Sequence, residues 1–400
     1  MSLHKGKLYW PETIDEPKKY QILDEDVSCD VLIIGGGMAA ALCAEELSHT
    51  RFKTLVVEKG EVAKGSSSAN TGLLQFSNDK MLHEFIEEIG EEKAVRFYKS
   101  CLKAVEELQQ VAGTLPGETG FIRRPSLYYA STENDVSKLK KEYEALHEHG
   151  FEVEYLDSEK IKERFGFEKP AALMTHGDAE VNPNKLIHHL LESAETRGVK
   201  VYENTEVTEA GRDGKAYKFT SGDYTIRAEK VIYCTGYETV PYRVKDLADL
   251  NRTYAIATNP IADFPEWTYR ALIWETKRPY FYMRTTEDGR IIAGGLDEEK
   301  MDADVTDEKL ERNGSRLINR IKEHFPDYEI QAEYKWCATF GESEDGLPFI
   351  GPHPEKEGIF YCLGFGGNGT VYSKLGARLL CEMFHEEHDR ELAELLDPGR

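Results

Sequence analysis

The chain has 400 residues and a formal net charge of −23. That length exceeds the usual span of one domain and allows a large core. The negative charge argues against nucleic acid or an anionic membrane surface as partner. No run of about 18 apolar residues occurs, and the polar opening from Met1 to Pro17 lacks the apolar core of a signal peptide. The seven cysteines are scattered, odd in number and never in a C-x-x-C pair, which predicts reduced, mostly buried thiols in a cytoplasmic protein.

The first predicted unit is a strand, a glycine turn, a helix, a second strand and an acid. Val31 to Ile34 is a continuous apolar run, as in a parallel strand buried on both faces. Gly35 allows a tight turn, Gly37 lets backbone approach a pyrophosphate, and Ala40 stands where a third glycine usually packs helix against strand. Met38 and Ala39 open a helix whose first N–H groups face the anion. Glu58 follows Gly35 by 23 residues, near the offset of about 20 for the acid that binds ribose hydroxyls. Lys59 is next to it. An acid there disfavours a 2′-phosphate, so the pattern predicts a dinucleotide other than NADP.

A polar turn follows, with Ser66, Ser67, Ser68, Asn70, Thr71, Gly72 and Leu73 offered to a pyrophosphate or ring edge. Helices are expected near Met81–Ile89 and Glu92–Val111, a strand over Phe121–Ala130, and a helix over Asp135–His149. Asn182-Pro183 starts another helix that Gly198 ends. Strands follow at Val199–Tyr202, Tyr217–Thr220 and Lys230–Cys234, the last running into Thr235-Gly236. Arg252–Thr258, Pro279–Arg284 and Ile291–Gly294 carry the alternation of an antiparallel sheet. A helix near Asp307–His324 precedes a strand over Ala332–Phe340. The last unit is the strand Ile359–Leu363, a loop with Gly366, Gly367, Asn368 and Gly369, and a helix from about Thr370 to Phe384. These glycines free N–H groups to point inward, and the helix adds its positive end. The histidines show no metal-ligand spacing; His188 and His189 are adjacent on a helix and diverge by about 100°.

Taken together, Ile33–Ala40, Glu58–Leu73, Ala179–Val207, Val231–Glu238 and Trp336–Leu380 resemble the D-amino-acid-oxidase-like superfamily of FAD-dependent oxidoreductases, which includes glycine and sarcosine oxidases. The resemblance implies an α/β fold. It is a three-layer, Rossmann-like FAD domain (1–80, 155–245, 341–400) interleaved with an α+β substrate domain on an antiparallel sheet (81–154, 246–340). It implies oxidation of a C–N bond of an amine or amino acid by hydride transfer to flavin N5, with the imine then hydrolysed. Oxygen or another acceptor would reoxidise the flavin. A dehydrogenase serving a protein or dye acceptor and a non-catalytic flavin protein are the alternatives. Val207 joins the residues offered to FAD.

Two positions depart from the family. An arginine that clamps the substrate carboxylate in glycine oxidase-like relatives is Phe340 here, and a phenyl ring cannot pair with a carboxylate. The flavin-linking cysteine of sarcosine oxidases falls at Ala338, one step from Cys337 and so on the opposite face. FAD is therefore expected to be non-covalent. Tyr280 is the leading substrate contact. Arg278 on the same strand face and Tyr254 on a neighbouring strand are further candidates.

Overall fold

The computed structural model describes residues 3–238, 248–298, 305–364 and 366–400. The run Val27–Ile34 forms the centre of a parallel sheet. Thr54–Val57 and then Lys200–Tyr202 lie on one side of it; Tyr224–Tyr233 and Ile359–Leu363 lie on the other. Apolar side chains alternate between two buried layers. Val31 and Ile33 meet the helices Met38–Ser48, Pro183–Thr196 and Gly369–Phe384 on one face. Leu32, Leu55 and Val57 meet Tyr217 and Phe219 of an antiparallel extension, Thr208–Asp213 and Ala216–Ser221, on the other. Helices, parallel sheet and antiparallel strands make the expected three layers.

A second, nine-stranded sheet runs in the order His4–Lys7, Ala332–Ser343, Ala248–Thr258, Ile291–Glu298, Phe281–Thr285, Leu272–Glu275, Ser126–Tyr129, Ala171–Thr175, Val153–Asp157. One face is sealed by the helix Asp307–His324. Its Leu310, Leu317 and Ile321 pack with Tyr254, Ile256, Phe281, Met283 and Cys337. Thr306 caps this helix by accepting from the Lys309 N–H. The opposite face looks toward the parallel sheet.

The structure adjusts several sequence expectations. The expected strand Phe121–Ala130 is two strands, Ile122–Arg123 and Ser126–Tyr129, in different sheets. Pro125 lies between them and cannot donate to a ladder. Val153–Asp157 and Ala171–Thr175, within the segment assigned to the FAD part, hydrogen-bond into the nine-stranded sheet, as does His4–Lys7. All three are short; His4–Lys7 pairs with a strand far away in sequence, and Ala171–Thr175 lies between Ser126–Tyr129 and the edge strand Val153–Asp157. The short helix Ser158–Phe165, capped by Asp157 and ended by left-handed Gly166, was not foreseen.

Candidate functional site

At the end of the Val27–Ile34 strand, Gly35 takes φ = +118°, and a Cβ there would lie 2.5 Å from the Cys234 carbonyl oxygen. Only glycine fits both constraints. Gly36 lies against Glu58, whose Oε2 accepts its N–H at 2.7 Å while Oε1 accepts from Gly60 N at 2.8 Å. Gly37, the N-cap of the following helix, has no side chain to offer; the Ser67 hydroxyl accepts the Met38 N–H instead, at 3.1 Å. The polar turn is thus tied directly to the glycine turn.

A cavity of about 840 Å³ starts here and ends at the nine-stranded sheet. Its wall includes Gly35, Gly37, Met38, Ala39, Glu58 and Lys59 from the first unit. Ser66, Ser67, Asn70, Thr71 and Leu73 come from the polar turn. Val207, Thr235, Gly236, Gly366, Gly367, Asn368, Gly369 and Thr370 complete the set foreseen from the sequence. Among the described residues the buried Thr235 hydroxyl has no partner, as expected of a group facing a polar ligand.

Three foreseen residues do not face the cavity. Ala40 is fully buried in the helix–sheet core. Ser68 is fully buried and turns its hydroxyl back to the Gly65 carbonyl at 2.8 Å. Gly72 presses against Val181 and Arg284, where a Cβ would lie 2.3 Å from the Val181 carbonyl oxygen. The C-terminal loop also differs in detail. Gly366 N donates to Gly341 O (2.7 Å) and Gly367 N to Asp79 Oδ2 (3.1 Å), so these two N–H groups hold the loop rather than point inward. The positive end on offer is the first turn of the helix Gly369–Phe384, which no side chain caps. Asn368 braces it through Ser77 O, and Tyr372 through Asn78 Oδ1 at 2.6 Å.

The far wall comes mainly from one face of the nine-stranded sheet, with Thr339 added between Ala338 and Phe340. Tyr280, Tyr282, Thr253, Trp274, Ala338, Thr339 and Phe340 line it. Tyr280 and Tyr282 sit with ring centroids 5.8 Å apart. The Tyr282 ring crosses Gly294, where a Cβ would lie 2.2 Å from its hydroxyl. Burial pushes both tyrosine hydroxyls up from their ordinary range, so both are neutral donors. Trp274 stacks on Tyr128 at 3.8 Å. Phe340 and Ala338 face the cavity, and Cys337 lies behind the sheet in the helix-covered core.

Tyr254 corrects a sequence expectation. It points to the opposite face, is buried beside Cys337 and Phe281, and donates its hydroxyl to Glu298 at 3.2 Å. Its neighbour Thr253 lines the cavity instead, because adjacent strand residues face opposite ways. Arg278 stands beside the cavity and not on its wall. Its guanidinium lies 4.5 Å over the Tyr280 ring, donates to Asp79 O at 3.0 Å and stands 3.8 Å from the Asp79 carboxylate. Arg284, on the same strand, is buried and donates to Thr71 O and Val181 O, bracing the polar turn from behind. Sequence reasoning missed Gln75, Asn78, Asp79, Tyr237 and Trp274 on the wall. An aromatic residue in the short apolar run Leu272–Glu275 was the one local signal, pointing to Trp274. Nearby, Glu342 is raised to about 7 and Asp297 to about 6, in both cases by burial first and then by the Asp79 charge.

Residues 30–383 match the FAD dependent oxidoreductase (DAO) family. A glycine oxidase of Geobacillus kaustophilus (strain HTA426) is 27% identical over 382 residues, covering 88% of this chain and 92% of its own. A Bacillus subtilis (strain 168) protein whose name assigns it a Rieske 2Fe-2S iron-sulfur centre is 24% identical over 400 residues, 98% of this chain and 75% of its own. The crystal structure of glycine oxidase from Geobacillus kaustophilus superposes with a TM-score of 0.75 at 22% identity, covering 90% of this chain and 96% of that one. Among the described residues, no helix is long and apolar enough to cross a membrane. A glycine turn, an acid bonded to it and, among the described residues, an uncapped helix end and a buried unpaired hydroxyl on one long cavity suit an extended dinucleotide, and with the family match they place this chain in the DAO family of FAD-dependent oxidoreductases.

Proposed function

We propose that this protein oxidises a C–N bond of a small amine or amino acid, with FAD held non-covalently in the long cavity. One observation carries the reading: the same cavity that begins at the dinucleotide turn ends against Tyr280, Tyr282, Trp274 and Phe340. Bound FAD supplies the hydride acceptor, N5. The roles of the protein's residues follow from position. Gly35 and Gly37 admit the pyrophosphate, Glu58 addresses ribose, and the first turn of the Gly369–Phe384 helix stabilises negative charge on the reduced ring. Tyr280 and Tyr282 orient the substrate by hydroxyl donation. Phe340 and Trp274 exclude water from the carbon that loses hydride. Ala338, in place of a thiol on the cavity face, supports non-covalent attachment. Arg278 sets the Tyr280 ring and holds Asp79.

Among the described residues on the cavity wall there is no arginine, which favours an amine whose recognition does not depend on a paired carboxylate. Relatives include a gamma-glutamylputrescine oxidoreductase of Escherichia coli (strain K12), 22% identical over 397 residues. The test is a stopped-flow screen of small amines and N-methyl amino acids against the oxidised, oxygen-free protein, read at the flavin absorbance. Bleaching by one class of amine is expected. A flavin left oxidised by the whole screen would sink the reading in favour of a flavin-binding protein without this chemistry.

A second reading concerns the acceptor. The match over 98% of this chain to three quarters of a protein named for an iron–sulfur centre supports electron delivery to a protein or dye acceptor over oxygen. Oxygen consumption measured against dye reduction separates the two.

A further inference from the structure

Three cysteines that lie far apart in the sequence meet behind the dinucleotide turn. Cys43 is on the helix Met38–Ser48, Cys234 follows the strand Tyr224–Tyr233, and Cys362 is on the strand Ile359–Leu363. The parallel register pairs Tyr233 with Tyr361, so Cys234 and Cys362 stand side by side on adjacent strands, and the helix lays Cys43 across them. The Cys43 and Cys234 sulfurs are 4.0 Å apart, and all three sulfurs lie within 4.8 Å of one another. All three residues are buried.

That spacing is the one a shared cation needs. A metal–sulfur bond of about 2.3 Å puts three sulfurs in a trigonal plane about 4 Å apart. A hydrophobic core needs no such convergence, since alanine or valine would fill these positions. The group contains no histidine or carboxylate. The Cys362 thiol donates to the Ser373 carbonyl at 3.9 Å. A hard ion or a four-coordinate one is poorly served by such a set, and a soft ion content with three sulfurs is well served. Cys234 and Cys362 also line the cavity floor, which gives an ion a route in.

We propose that Cys43, Cys234 and Cys362 form a three-sulfur site for a soft monovalent d10 cation, with Cu(I) as the fitting ion. Each S–H bond that gives way to a Cu–S bond releases its proton to solvent, and no electron is transferred. The site sits under the dinucleotide turn, remote from the substrate wall, so it acts as a staple between the helix and two strands that carry FAD.

The test offers Cu(I), without oxygen and in competition with a chromophoric Cu(I) chelator, to the FAD-loaded protein. In parallel it is offered to protein stripped of FAD and then reloaded, so that a covered route does not hide the site. The expected result is one equivalent retained, proton release in weak buffer, and a sulfur-to-copper absorption band in the ultraviolet. C43A, C234A and C362A should each abolish retention, while C381A, at a half-buried cysteine outside the group, should leave it unchanged. The flavin spectrum of each variant reports whether it has folded. If an alanine variant does not load FAD, X-ray absorption of the wild-type protein replaces it, with three sulfur neighbours at about 2.3 Å expected. No retention by wild type in either arm, retention that survives all three substitutions, displacement by equimolar Zn²⁺, or a nitrogen- or oxygen-rich shell would each overturn the proposal.

Discussion

The two ends of the cavity are built by different means. At the dinucleotide turn, the determining feature is missing side chains. Gly35, Gly36 and Gly37 bring backbone within reach of Cys234, Glu58 and Ser67; a Cβ at Gly35 would collide with the Cys234 backbone, and one at Gly36 or Gly37 would press on the Glu58 or Ser67 side chain. At the substrate wall, the determining feature is which side chain a strand happens to face inward. Thr253 and Tyr254, or Cys337 and Ala338, are neighbours in sequence with opposite fates. The first end tolerates almost no change. At the second, one substitution is expected to shift specificity while the cofactor stays in place.

The sharpest way to break this contrast is at Gly35. Gly35→Ala puts a Cβ 2.5 Å from a carbonyl oxygen at φ = +118°. Strain of about 1–3 kcal/mol plus the clash should weaken FAD by roughly 100-fold or more, measured as flavin retained after gel filtration. Retention at the wild-type level would show that the turn does not constrain the cofactor.

At the other end, Tyr280→Phe and Tyr254→Phe form a matched pair. The first should lower kcat/KM by roughly tenfold, the worth of one buried hydrogen bond, with FAD content unchanged. The second should leave kcat/KM alone and cost about 1 kcal/mol in urea unfolding, through the lost Glu298 contact. Equal kinetic effects would mean that parity does not separate the two tyrosines. Phe340→Arg places a carboxylate partner on the wall. It should improve KM for amino acids relative to plain amines by about tenfold, which competition kinetics would read.

The smallest effect is electrostatic. Glu342 is raised to about 7 by burial and by Asp79. Between its unfolded value of about 4.3 and that folded value, the folded chain keeps a proton that the unfolded chain releases. Stability therefore falls as pH rises through the window. Glu342→Gln removes the penalty, so the variant should gain about 1–2 kcal/mol over wild type at pH 8 and little at pH 4. Chemical denaturation at both pH values checks it.

Much of the outline was legible because it is local. The helix Pro183–Thr196 announces itself by an Asn182 cap, whose side chain accepts from Asn184 and Lys185, and by one apolar face. The Asp307–His324 helix and the strand Ile359–Leu363 are similarly self-declaring. The edge strands of the large sheet were not legible, because His4–Lys7 is defined by the distant strand Ala332–Ser343 and Val153–Asp157 by Ala171–Thr175 across an intervening helix, rather than by their own pattern. Within the polar turn, Ser67 and Ser68 are equivalent as letters. Only the tight turn at Gly65–Ala69 decides that the first faces the glycine turn and the second its own backbone.

By itself, the amino-acid sequence determined the dinucleotide unit, since strand, turn, helix and acid lie within one short segment whose chemistry depends on residue type and spacing. It also offered Phe340 and Ala338 as residues of one strand face, and both line the cavity. Tertiary structure alone decided the meeting of Cys43, Cys234 and Cys362. Their separations of 191 and 128 residues carry no spacing signal, and only the parallel register and the helix crossing bring three sulfurs within 4.8 Å. It likewise decided which tyrosine faces the cavity, because a strand's inward face is chosen by what packs against its back, here the helix Asp307–His324 over Tyr254.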